Sequence, residues 1–174
     1  TTIACYASCF HLGIRKLEYI YNHLHTDSIY HSQATKVFGH IIKGLFGSFQ
    51  AGYAPKKPMS LLNNEPLRQL LNKVVDFNRI DANIANGYLS SVAVTASSYT
   101  TGDSISFYQA DKSITPWQRA KRRGVQTQLH TEHLMASSAI PLIFPSVKIK
   151  REHYGDGSIN QLSPLSPPIH LGAE

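Results

Sequence analysis

Long apolar runs, acidic side chains and cysteine are all scarce in this 174-residue chain. No apolar stretch approaches the roughly 20 residues that a membrane-spanning helix needs. The longest, Ala139–Phe144, is broken by Pro141, so the sequence holds no candidate spanning helix. Asp and Glu number 11 against 17 Lys and Arg, a formal net charge of +6. Such a balance favours anionic partners: a membrane surface, phosphate groups or nucleic acid. Much of the excess sits in Arg119, Lys121, Arg122 and Arg123, a cluster that reads equally well as a solvated helix end or loop. With two cysteines there is no disulfide framework, and a reducing compartment is expected. Cys5 and Cys9 lie four residues apart among apolar neighbours, which predicts one shared, buried helical face. The sequence opens at Thr1 without Met or a secretory pattern, and Ile169–Glu174 reads as a strand with no closing turn. Both ends are therefore read as cut from a longer domain, located in the cytoplasm or peripherally on a membrane.

What is present alternates helix and strand signals, without internal repeats or low-complexity tracts. Thr2–Tyr21 reads as helical, with Gly13 its weak point. Phe38, Phe46 and Phe49, interleaved with glycines up to Pro58, suggest a mobile, apolar, substrate-facing element or an ordinary surface loop. Asn64-Glu65-Pro66 is a helix start, followed by Leu67, Leu70, Leu71 and Val74 at helical spacing. A second helix is predicted over Arg79–Ala85, ended by Asn86-Gly87. Tyr88–Ser98 and Ile105–Tyr108 read as strands around a Thr101-Gly102-Asp103 turn. His130–Ser138 reads as a short helix, and Val147–Ile149 and His153-Tyr154 as short strands. The class is α/β.

The most informative run is Tyr154-Gly155-Asp156-Gly157-Ser158. A carboxylate between two glycines can be aimed into a site by a freely bending backbone, and there it can take a proton from a nucleophile. The competing reading is a plain Asp-Gly hairpin turn. Ser158 and Asn160 are expected to hydrogen-bond the loop in place. Upstream, Ala136-Ser137-Ser138-Ala139 is a run of small residues that permits close approach, and Phe144-Pro145 leads the chain back toward the Asp. His130-Thr-Glu-His133 sets two histidines three apart, but no third ligand is well spaced and His-Glu-x-x-His is absent. No metal site is expected. His170 reads as a structural strand residue.

Ala-Ser-x-Ala-x-Pro-x-x-Phe-Pro over 136–145, then Gly-Asp-Gly at 155–157, resembles the patatin-like phospholipase family in its bacterial form. Pro164–Ala173, Ser60–Arg68 and Thr95–Gly102 are similar to further stretches of that family, so the resemblance covers roughly residues 58–174. It implies a three-layer α/β sandwich, a central sheet flanked by helices, here truncated at both ends: residues 1–174 would be a partial patatin-like domain. It also implies hydrolysis of phospholipid or other fatty-acyl esters by a Ser–Asp pair, with no cofactor. Asp156 matches the family's Asp and would be the general base, supported by Gly155, Gly157 and Ser158. The nucleophile's Gly-x-Ser-x-Gly elbow and the Gly-rich oxyanion loop occur nowhere in the chain. In the family they lie upstream, so this chain is expected to be inactive by itself. Arg119, Lys121, Arg122 and Arg123 would then touch anionic membrane, with no nucleic acid expected. A catalytically silent scaffold and a basic nucleic-acid-binding module are the alternatives.

Overall fold

The computed structural model describes residues 1–25, 28–29, 60, 62–161 and 163–173. The expected mobile element, Phe38–Pro58, lies outside the described residues. Among them, no helix is long and apolar enough to cross a membrane.

Among the described residues, six strands form one mixed sheet in the order β3-β4-β2-β1-β6-β5. They span Ser91–Ser98 (β1), Ser104–Ala110 (β2), Gln118–Arg119 (β3), Arg122–Gln126 (β4), Val147–Ile149 (β5) and Glu152–Asp156 (β6). Only β2 and β4 run parallel; the other neighbours are antiparallel. Gly102 turns β1 into β2 at φ +72°, a backbone conformation open to glycine at little cost. The α-helices among the described residues are α1 (Thr2–Cys5), α2 (Phe10–Asn22), α3 (Glu65–Val74), α4 (Asn78–Ala85), α5 (Thr131–Ser137) and α6 (Ser166–His170).

Alternation along β1 decides which layer each side chain joins. Val94 and Ala96, with Ile105 and Phe107 of β2, face a core closed by Met135 and Ala136 of α5. Leu67 and Leu71 of α3 pack onto the same cluster. Cys5, Val75 and Ile80 make a second cluster beneath α1 and α4, tied by Asn83 Nδ2 donating to the Ala4 carbonyl at 2.8 Å. The opposite face of the sheet presents Thr95, Ser106 and the fully buried Tyr108. Trp117 stacks on Tyr108, and His170 of α6 stacks on Trp117, with ring centroids 5.1 and 4.9 Å apart. Helices thus flank the sheet, as the α/β reading anticipated.

Three local expectations are corrected. Thr2–Tyr21 is helical as read, but it breaks before Gly13: α1 stops at Tyr6 (φ −114°, ψ 22°) and a 3-10 turn covers Ala7–Cys9. That break destroys the helical phase, so Cys5 is buried while Cys9 is exposed, and both are free thiols. The basic segment is neither helix end nor loop but the β3–β4 hairpin, turning at Lys121 (φ 56°). Trp117 lies so close to Gly124 that a Cβ there would sit 2.3 Å from the indole, and this packing together with pairing to β2 holds the hairpin. Finally, Ile169–Glu174 is not a strand. Pro167 and Pro168 open α6, where a missing N–H costs nothing, and Gly172 at φ +83° follows it.

Candidate active site

Asp156 is the last residue of β6, paired in register with Ala96 of β1. It does not stand at a hairpin tip, because the β5–β6 turn is made at Lys150-Arg151, with Lys150 at φ 55°. The plain Asp-Gly turn is therefore set aside. Instead Asp156 caps a 3-10 turn over Gly157–Ile159, its Oδ1 accepting the Ser158 N–H at 2.8 Å. Its own N–H donates to the Ala139 carbonyl at 2.9 Å. That bond joins the two stretches singled out in the sequence. Ala136 and Ala139 are both buried, and their small side chains let α5 and the chain after it lie against β1 and β6. Oδ2 has no hydrogen-bond partner among the described residues, and the side chain is only partly buried.

The flanking glycines are needed for a reason other than bending. Neither has a positive φ. A Cβ on Gly157 would lie 2.3 Å from the Thr95 carbonyl oxygen, and one on Gly155 would lie 2.0 Å from the Tyr99 hydroxyl. Gly157 thus lets the chain press against the backbone of β1, and Gly155 makes room for a phenol. Ser158 and Asn160 do fasten the loop, but through backbone N–H groups. Ser158 N–H goes to Asp156, and Asn160 N–H to Ser97 Oγ at 3.2 Å.

Two residues of the site escaped the sequence reading. Ser97, fully buried on β1, takes the Asn160 N–H and holds the start of the post-strand loop. Tyr99 lies over Gly155, and burial, then the Asp156 charge, push its phenol above the usual value. It is thus a neutral hydroxyl close to the carboxylate. Both lie in the Thr95–Gly102 stretch, and only proximity across strands reveals them. Ile140, next to the Ala139 that binds the Asp156 N–H, and Ile159, at the end of the 3-10 turn, are both exposed, as are Leu142 and Ile143 farther along the chain, Leu142 at 75% and with φ 68°.

The remaining candidates are separate from Asp156. His133 is buried against Phe107, ring centroids 4.7 Å apart, and its Nδ1 accepts the His130 N–H at 3.0 Å. No cluster of three or more His, Cys, Asp or Glu able to hold a metal occurs among the described residues. His170 belongs to a helix rather than a strand, with Nδ1 2.8 Å from the Ser166 carbonyl. Of the basic group, Arg119 and Lys121 are exposed and Arg122 partly so. Arg123 turns inward, 3.6 Å from an Asp103 carboxylate oxygen and 3.9 Å from Glu152.

No curated protein and no solved structure matches the chain. A family model does, that of the patatin-like phospholipases, over residues 4–169. With that match spanning nearly the whole chain, and with the α/β layers and the Asp156 loop as described, the chain belongs to the patatin-like phospholipase family, a family of lipid acyl hydrolases.

Proposed function

We propose that Asp156 is the general base of a Ser–Asp pair that hydrolyses phospholipid or related fatty-acyl esters. The serine would come from a Gly-x-Ser-x-Gly elbow outside these residues, making residues 1–174 the base-bearing part of a patatin-like domain. The observation that carries this reading is the setting of Asp156. Its backbone is held by Ala139, one carboxylate oxygen is held by Ser158, and the other is left to accept a proton. In the reaction, Asp156 takes the hydroxyl proton as the serine attacks the acyl carbonyl, and the leaving alcohol carries that proton away. Water then attacks the acyl-enzyme and gives its proton to Asp156, which passes it to the departing serine oxygen as the fatty acid leaves. The exposed Ile140, Leu142 and Ile159 suit an acyl substrate better than a polar one. Arg119, Lys121 and Arg122 are the residues for docking on anionic membrane; Arg123, engaged with Asp103 and Glu152, is withdrawn from that role.

The test is the Asp156→Ala substitution in a gene product that carries the elbow, assayed on a chromogenic fatty-acyl ester and on phospholipid vesicles. Loss of a positioned base is worth about 10²–10⁴-fold in kcat, with unfolding temperature little changed. Full activity in that variant would remove Asp156 from the mechanism.

A further inference from the structure

Alternation sets Ile105 and Phe107 of β2 on one face of the sheet, with Arg123 and Val125 of β4 in register beside them. This is the face on which α5 packs. A helix of seven residues reaches only about 10 Å, and it does not cover the whole face. Among the described residues a cleft of about 360 Å³ remains, floored by Ile105, Phe107, Val125, Ile149 and Tyr154. His133 of α5 also lines it. Burial first, with the Lys150 charge among the lesser causes, lowers the pKa of that imidazole, so the wall it forms is neutral.

The rim is a different surface. The last β1–β6 pair joins Ser98 to Tyr154, and the β5–β6 hairpin runs on past it to the Lys150-Arg151 turn. Lys150 and Arg151 line the cleft and are exposed. Neither makes a hydrogen bond or ion pair among the described residues. Arg123 and Glu152, which also line it, face one another at 3.9 Å. Arg123 Nε is nevertheless buried without a hydrogen bond, 3.6 Å from the Asp103 carboxylate. The cleft thus joins an apolar floor to two uncompensated cations and a buried donor that lacks an acceptor.

We propose that this cleft binds one single-chain anionic amphiphile, its alkyl chain on the floor and its carboxylate or phosphate head at Lys150 and Arg151. An apolar floor alone would suit any alkyl chain, and cations alone any anion; only a molecule with both parts satisfies both. Size agrees. An apolar cavity of about 150 Å³ holds one benzene, so about 360 Å³ holds on the order of a dozen heavy atoms, those of decanoate. Asp156, Ile140 and Ile159 do not line the cleft, so it is separate from the candidate active site. Arg119 and Lys121 do not line it either, which separates it from docking on a membrane surface. The inference goes beyond the reading of Asp156 as a base and does not depend on it.

Titration of the ¹⁵N-labelled 174-residue chain with decanoate and with decyl phosphate, followed by amide chemical shifts, tests it. The amides of Val125, Thr127 and Ile149–Glu152 should move together and saturate, while those of Ser158 and Ile159 stay still. The tighter of the two probes names the head group. Decanol and inorganic phosphate each lack one half of the ligand and should bind about ten-fold or more weakly. A Lys150→Gly, Arg151→Ser variant removes both cations, and glycine adopts the turn's φ of 55° without strain. It should weaken decanoate about ten-fold, to the level of decanol. Val125→Asp, a carboxylate on the floor, should weaken decanoate and decanol alike by about ten-fold or more. Should that variant unfold, Thr127→Trp, which fills the cleft, carries the same arm. Any of four results would overturn the proposal. Decanol or phosphate could bind as tightly as decanoate, or the shifts could gather at Gly157–Ile159 or at Arg119–Arg122. The variant without Lys150 and Arg151 could bind decanoate undiminished, or neither probe could bind at millimolar concentration.

Discussion

At Gly155 and Gly157 the same substitution has two different costs. Alanine at 157 would drive its Cβ toward the Thr95 carbonyl, a backbone atom of β1 that cannot swing aside. Gly157→Ala should therefore cost about 1–3 kcal/mol, read as a lower urea midpoint with an unchanged slope. Alanine at 155 meets the far end of the Tyr99 side chain, which is half exposed and can rotate away. Gly155→Ala should cost less than about 1 kcal/mol, and equal losses would show that the Thr95 contact does not hold the loop. His133 gives the pH prediction. Burial is the main cause lowering its pKa and the charges of His130 and Lys150 add to it, while that of Glu132 acts in the opposite direction. The folded protein thus prefers the neutral ring. Stability should be intact above the unfolded value of about 6.5 and fall as pH drops below it, levelling off beneath the lowered folded value. Unfolding temperatures between pH 7.5 and 5 check this, and His133→Gln should flatten the slope. Asp156 was legible at this scale as a candidate base, because its glycines and their order along the chain single it out. Ser97 and Tyr99 were not, because each acts across strands on residues more than fifty positions away.

At the scale of elements, the hydrogen bond from Asn83 to Ala4 is what joins α4 to α1. Asn83→Ala would leave a buried carbonyl unpaired, costing about 1–3 kcal/mol. Faster exchange of the Cys5 amide, which donates to Thr1, should report the loosening of α1 before global unfolding. The elements legible in the sequence were those with their own local start and stop chemistry. α3 has Pro66 in its first turn, α4 ends before Gly87 at φ +74°, and the β1–β2 turn has Gly102. β3 and β4 were missed because their hairpin depends on Trp117 packing and on a parallel neighbour, neither visible in a short window. α6 was missed because Ile169-His170-Leu171 has strand-like composition, whereas the two prolines before it set helical φ angles.

For the whole molecule, the net charge of +6 would favour an anionic lipid surface over a neutral one. Binding to phosphatidylserine vesicles should weaken as salt rises. An Arg119→Glu, Lys121→Glu variant should lose about ten-fold or more in vesicle affinity, at about 1 kcal/mol per basic residue removed. Unchanged cosedimentation would take the β3–β4 hairpin out of membrane docking. The 174-residue chain by itself should show no ester turnover, and any measurable rate that Asp156→Ala abolishes would mean that the nucleophile lies within it. The stack of Tyr108, Trp117 and His170 has a practical consequence. Trp117 is the sole indole in the chain, and it lies between Tyr108 of the sheet and His170 of α6. Any movement of α6 off the sheet changes the surroundings of one fluorophore and nothing else that absorbs at its red edge. The molecule therefore carries its own optical gauge of whether α6 stays seated, readable in dilute solution without a label.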